Sequence, residues 1–490
     1  MKSSYSFLCI LLLVLPIARS ALHAYKMNQP VYDPIYRVMS AEQQDEYKNA
    51  YCILFAGDLI LLEDQVKNGY TDAGYSYDMM FDYTRKYIDA ADLAIGVFEG
   101  PMAGDAAGYT TGNYDDGKKL YLNFPDAFGH AVKNAGFDLV TTANNHVLDK
   151  GTIGSARTLD VLDAIALDHT GSYRSQAEKD TNHIKIINRN GLRIAILTYT
   201  YGANYREEDD LIYGDDAYVT SILVNPKSKN FAYVKQQVEK DFAEAKNQQP
   251  DLIVVLPHMG EQFQDYPNDY QKKWRDIFYE NGADVILGDH THSVQPVEME
   301  KIDGKMRLTA YCPGNYANIY REHNGDCMAL EEVYIDRDTK QVIGGAIIPM
   351  WTSASLSGNY RPLPIADILT DEKLRASITT YDLDHVKEVA EHITTVMLGE
   401  KLPLDIIKER LYFDEHGFMR EPAKPLLLTD EMRSSPFYQL VSDADRVCFV
   451  GDSVTEGTKN GGYGWYEPIV PTVEPLSYIH HLTFSGIIGI

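Results

Sequence analysis

The chain has 490 residues and a formal net charge of −26, with 45 Lys and Arg against 71 Asp and Glu. This balance excludes nucleic acid and anionic membrane surfaces as partners held by charge, because both need basic patches. An anionic partner would have to be met locally, through metal ions or a minority of Lys and Arg, and as a bulk property the charge signifies solubility. A hydrophobic fraction of 44% and a charged fraction of 24% are those of an ordinary globular protein, and the length predicts more than one domain.

Residues 1–20 read as a secretory signal, with Lys2, an apolar core over 7–17 and Ala18-Arg19-Ser20 as the cleavage site. That core is too short to span a bilayer comfortably, so an exported protein is expected, with an uncleaved N-terminal membrane anchor as the alternative. Residues 21–50 form a polar, Tyr-rich leader segment. From residue 51 onward, strand and helix alternate: strands over 52–56, 93–97 and 139–142, helices around 77–90 and 124–134. A helical stripe of Ile153, Ala156, Leu159 and Leu162 follows. Residues 184–199 predict a hairpin closed at Arg189-Asn190-Gly191. A helix with Tyr270, Trp274, Ile277 and Phe278 on one face ends at Gly282 and feeds a strand over 284–287, and 306–349 returns to strands. The loop over 104–119, rich in Gly, Asp, Thr and Tyr, is either a disordered insertion or a substrate-facing lid. Residues 356–442 predict a helical connecting segment, with helices over 383–398 and 402–411. Cys312 and Cys327 could pair, although spacing alone does not give geometry.

The chemistry concentrates where apolar runs end. A-G-D closes one run at Asp58, I-G-V-F-E-G another at Glu99, and V-V-L-P-H-M-G a third at His258. T-A-N-N-H brings Asn145 and His146, and G-D-H-T-H brings His290 and His292. An open α/β sheet presents ligands at the carboxyl ends of its strands, and neutral imidazoles with carboxamide or carboxylate oxygens suit Mn²⁺, Zn²⁺ or Fe²⁺. Taken singly, a His after a strand is more often structural and a Gly-Asp is often a turn. The His290-x-His292 pair is more telling, because alternate strand residues point to opposite faces and both rings reach one centre only from a bend.

The order Asp58, Glu99, Asn145-His146, His258, His290-x-His292 resembles the calcineurin-like metallophosphoesterases and, within them, the poly-γ-glutamate capsule synthesis (CapA-type) family. The narrower resemblance rests on A-G-D-L, D-L-A-I-G-V-F-E-G-P, A-N-N-H-V-L-D-K-G, H-M-G-E-Q-F and N-G-A-D-V-I-L-G-D-H-T-H, followed by Y-C-P-G-N-Y, and covers residues 51–355. It implies an α/β four-layer sandwich, helices outside two packed mixed β-sheets. It further implies Glu99 as bridging carboxylate, Asn145, His258 and His290 completing one metal centre, Asp58 and His292 holding the other, and His146 as a non-ligand acid. Asp149 and Asn315 are expected to support the ligands; Asp149 could instead cap the helix that follows. Ile60 stands where the superfamily has a further His, so one divalent ion should be firm and the second weaker. The implied partner is an anionic polymer such as poly-γ-glutamate, or another anionic ester, with association to a membrane capsule-synthesis complex. Two functions are implied: a metal-dependent hydrolase, or a non-catalytic polymer-handling protein of capsule assembly.

Residues 443–490 carry R-V-C-F-V-G-D-S-V-T-E-G, which resembles the first block of the SGNH (GDSL-type) hydrolases, with Ser453 at the nucleophile position. His480 and His481 follow too soon and lack an Asp three residues earlier, since Ser477 stands there. This incomplete SGNH-like α/β unit is therefore expected to be a truncation or a vestige without esterase activity, because a serine needs a positioned base.

Overall fold

Alternate residues of the apolar runs go to opposite faces, and both faces are buried. Tyr51, Ile53 and Phe55 share one core with Leu93, Ile95, Ile194, Ile196 and Val254, whereas Leu54, Ala56 and Ala94 enter a second and Ala195, Leu197 and Val255 a third. This two-sided burial is why the strands read as nearly continuous hydrophobic stretches. The computed structural model describes residues 37–420 apart from 115, 319, 321, 322 and 354–359.

Two mixed sheets result. In the first, Tyr51–Leu59 lies between Cys327–Ile335, antiparallel, and Leu93–Phe98, parallel; Leu139–Thr141 and Asp168–Thr170 extend the parallel side. In the second, the order is Val297–Ile302, Lys305–Ala310, Val285–Leu287, Leu252–His258, Leu192–Thr200 and Ile184–Arg189. The inner faces of the two sheets share one core. Helices Asp126–Ala135 and Gly151–Ala164 bury Phe128, Val132, Leu159 and Leu162 on the outer side of the first sheet. Helices Phe231–Asn247 and Asp269–Glu280 bury Val238, Phe242, Trp274 and Phe278 on the outer side of the second. The four-layer α/β sandwich is thus present. The expected hairpin is present too, its turn formed by Asn190 and Gly191 at φ 48° and 88°.

Two expectations change, and one open question is answered. The helix around 77–90 is broken into a 3-10 turn, Asp78–Phe81, and a single helical turn, Arg85–Ile88. The Thr84 hydroxyl donates to the Phe81 carbonyl at 3.2 Å, a local bond that competes with the helical ladder. The second change concerns 356–442, whose described part does more than connect. Arg361–Pro364 and Leu411–Asp414 both pair with Val342–Ser353, and helix Thr380–Leu398 buries Val386, Val389, Ile393 and Met397 in the inner core. Residues 51–420 accordingly form one compact unit. The expected helix over 402–411 is absent: Gly399 at φ 71° ends the preceding helix, Pro403 follows, and the chain enters the strand at Leu411. Finally, Cys312 and Cys327 are buried free thiols and not a disulfide.

Residues 38–50 belong to a second unit, whose described part holds helix Ala41–Asn49, started by a capping box between Ser40 and Gln43. The signal expected over 1–20, the leader up to residue 36 and the SGNH-like segment with Ser453 lie outside the described residues. Among those described, no helix is long and apolar enough to cross a membrane.

Candidate metal centre

All six expected ligands come together at the carboxyl ends of the parallel strands. Asp58 ends Tyr51–Leu59 beside a register shift, where Gly57 adopts φ 70° and passes so close to residues 313 and 314 that a Cβ would lie 2.6 Å from the Gly314 carbonyl. Glu99 follows Leu93–Phe98, and His258 ends Leu252–His258. His290 and His292 leave Val285–Leu287 with φ of 94° and 57°, left-handed conformations costly for non-glycine residues, and this bend brings both rings to the same side. In the turn after Leu139–Thr141, the Asn144 amide donates to the Phe98 carbonyl at 2.9 Å, tying the Asn145 turn to the strand that carries Glu99.

The ligand atoms form two clusters that share Glu99. In the first, His258 Nε2 lies 2.8 Å from Asn145 Oδ1, 3.1 Å from His290 Nδ1 and 3.6 Å from Glu99 Oε1. In the second, His292 Nδ1 lies 3.2 Å from Asp58 Oδ2 and 2.8 Å from Asn315 Oδ1, and Glu99 Oε1 lies 3.8 Å from His292 Nε2. Ligands about 2.1 Å from a shared ion at octahedral or tetrahedral angles stand about 3.0–3.4 Å apart; the separations in the first cluster, 2.8–3.6 Å, bracket that edge, and in the second His292 meets Asp58 and Glu99 through different ring nitrogens, of which one can ligate. Both carboxylate oxygens of Asp58 and of Glu99 are buried without a hydrogen-bond partner among the described residues, and the buried Asp289 carboxylate faces the His258 ring. Such a concentration of buried negative charge calls for a counter-charge.

The electrostatics point the same way. Burial, then Asp58, Asp289 and Asp149, push the Glu99 carboxyl well above its usual range. Burial holds His258 at about 3, despite the opposing pull of Asp58, and His290 also falls well below an ordinary imidazole. The rings are therefore neutral, the form that ligates, and a divalent cation would return Glu99 to its charged form. The donor set fits borderline divalent ions.

Further residues join this set. Asp289, which the sequence offered only as a polar loop residue, places Oδ1 2.6 Å from His258 Nδ1, the ring atom that faces away from the cluster. Asp149 places Oδ2 2.6 Å from His146 Nδ1 and accepts from the Leu122 N–H, while the helix after it is capped at Lys150; Asp149 orients His146 and is no cap. Asn204 receives Asn145 Nδ2 on its Oδ1 at 3.1 Å and sits 3.3 Å from both ring nitrogens of His146. Asn315 is set opposite Asp58 by a short parallel pairing. A tyrosine covers each half: Tyr201 stands 4.5 Å from the His290 ring and Tyr114 5.0 Å from the His292 ring, centroid to centroid. Tyr114 comes from the loop over 104–119, which therefore faces the centre.

Residues 52–320, the stretch that holds every one of these groups, match the family model described as bacterial capsule synthesis protein PGA_cap. The chain belongs to this family. It is 29% identical over 243 residues to the capsule biosynthesis protein CapA of Bacillus anthracis, covering 49% of this chain and 54% of that relative. To the PGA biosynthesis protein CapA of Bacillus subtilis (strain 168) it is 26% identical over 228 residues, 45% of this chain and 53% of the relative. The chain spans about half the length of the curated relatives it matches. Among solved structures, a novel phosphatase from Mycoplasma pneumoniae is similar at 15% identity and a TM-score of 0.36, covering 62% of this chain and 94% of that one.

Proposed function

We propose that this capsule-synthesis family member binds divalent metal at the Asp58–Glu99–His258–His290–His292 centre and acts as a metal-dependent hydrolase on an anionic polymer or ester. The observation that carries the reading is the set of buried carboxylates without donors, packed against neutral imidazoles at coordination distances. Bound divalent cations would supply Lewis acidity, polarising the scissile group and acidifying a water. The remaining work belongs to the chain. A proton on His146 Nδ1 donates to Asp149, which fixes the ring and leaves Nε2 free to protonate a leaving group. The Asn204 amide nitrogen, 3.3 Å from both ring nitrogens, is a further polar neighbour of the ring. The named relatives make poly-γ-glutamate, or another anionic capsule polymer, the substrate class to try first, and the pattern of residues 1–20 supports action outside the cytoplasm.

A second reading, polymer handling without turnover, draws support from Ile60, an apolar residue where a further ligand was expected. One experiment separates the two. The purified chain is loaded with Mn²⁺, its metal content measured, and the sample incubated with poly-γ-glutamate and with a generic phosphodiester. Metal-dependent cleavage of either supports the hydrolase; bound metal and polymer without cleavage supports handling; a chain that retains no metal defeats both.

A further inference from the structure

Two hydrogen-bond donors lie beside the Asp58–His292 half of the centre and find no acceptor outside their own pair. Tyr114 Oη and Asn315 Nδ2 are buried next to one another, and neither meets another hydrogen-bond partner among the described residues. The Asn315 amide is not free to turn, since its Oδ1 is engaged by His292 Nδ1 at 2.8 Å and its backbone pairs opposite Asp58. Tyr114 is held just as firmly. Its ring packs against His292, Phe263 and Tyr320 at centroid distances of 5.0, 5.3 and 5.8 Å. The loop around it is tied down by the Glu63 N–H donating to the Gly112 carbonyl at 3.0 Å and by the Asp116 carboxylate accepting from the Asn113 and Lys118 N–H groups at 3.2 and 2.8 Å. A buried hydroxyl and a buried amide with no acceptor beyond each other are costly, and both sit beside a cluster already filled with negative ligands. An anionic group entering there is repelled by Asp58 and Glu99, so it needs donors as well as the cation.

We propose that Tyr114 Oη and Asn315 Nδ2 form a two-donor clamp for an oxyanion oxygen of the substrate on the Asp58–His292 half of the centre. The loop over 104–119 is then a specificity loop: its Tyr114 phenol selects ligands that present an unprotonated phosphoryl or carboxylate oxygen at that half. The clamp rests on the metal-centre reading above.

The test is calorimetric titration of inorganic phosphate into the Mn²⁺-loaded full chain, with Mn content measured on the same samples. Tyr114→Phe removes one oxygen and keeps the ring contacts. It is expected to weaken phosphate binding about tenfold or more, the worth of a charge-assisted hydrogen bond, with Mn content unchanged. Unchanged affinity for phosphate and for a short γ-linked glutamate oligomer alike overturns the clamp. Loss of Mn in Tyr114→Phe also overturns it, because the phenol would then be a ligand. If the wild-type chain takes up no Mn²⁺, the metal-centre reading falls and the clamp with it; if it takes up Mn²⁺ but neither phosphate nor the glutamate oligomer, the clamp alone falls. A parallel titration with a short γ-linked glutamate oligomer shows whether the oxygen is phosphoryl or carboxylate: the ligand whose affinity drops in Tyr114→Phe is the one clamped.

Discussion

The half of the centre around His258 and His290 draws Glu99, Asn145, His258 and His290 from the ends of four different strands and braces them from behind. Asp289 stands against the far nitrogen of His258, and Asn204 accepts from the Asn145 amide. The half around Asp58 and His292 has Glu99 in common, but its own ligands are fewer, and Ile60 beside it is fully buried in an apolar cluster. Its compensation is of another kind: Asn315 Oδ1 borders His292, and two donors with no acceptor outside their own pair lie beside it. Ligand number and bracing set how tightly a metal is held, whereas unused donors set what the metal can present to a substrate. If the proposed assignments hold, one half keeps an ion and the other receives a ligand.

The sharpest way to break this contrast is to remove the firm half. His258→Ala combined with His290→Ala deletes both of its imidazoles and leaves Glu99 with His292 alone beside it. Metal content by elemental analysis is expected to fall to that of a chelator-treated control, and equal metal in wild type and double variant would defeat the assignment. Next in size is His146→Ala, which leaves every ligand in place. Turnover on a cleaved substrate is expected to drop by roughly 10²-fold, the usual worth of a positioned general acid, with metal content unchanged. Metal loss in that variant would move His146 into the ligand set.

Asp289→Asn sharpens the comparison from behind. The carboxylate 2.6 Å from His258 Nδ1 orients the ring and raises its basicity, and removing such a partner costs about 10–100-fold in metal affinity. The loss should fall on the firmer of two phases in a Mn²⁺ titration and spare the weaker. A uniform loss over both phases would mean that Asp289 serves Asp58 as much as His258.

The residues of the candidate centre were legible because they end nearly continuous apolar runs, where a polar residue is conspicuous, and because the family motifs name them. Their supports were not. Asp289 lies in plain sight in G-D-H-T-H, but its role depends on a bridge to the neighbouring strand at His258. Asn204 and Tyr114 come from loops without periodicity, so nothing local marks them as facing the centre. The reading of 356–442 went astray for a related reason. Helix Thr380–Leu398 was visible as amphipathic, but an amphipathic stripe does not say which surface it covers, and the short strands Arg361–Pro364 and Leu411–Asp414 have meaning only beside Val342–Ser353. The break near Thr84 was hidden as well, since the Thr84 hydroxyl's bond to the Phe81 carbonyl is not written in the strand-and-helix alternation.

The smallest effect is expected at Ile60. If the second half were weak only because a histidine is missing, Ile60→His would restore it. The structure argues otherwise. Ile60 is fully buried and belongs to the apolar cluster that includes Leu59, Phe81, Phe98 and Tyr316, beneath the outer helices of the first sheet. An imidazole placed there buries two polar nitrogens among hydrocarbon, which costs about 1–3 kcal/mol when they go unpaired. Meanwhile the place beside Asp58 is taken by Asn315, held there by strand pairing. The expected outcome is a lower midpoint in denaturant unfolding and an unchanged weak phase in the Mn²⁺ titration. A tightened weak phase without loss of stability would show that the strand end can aim a ring at the metal and that Asn315 is not its substitute.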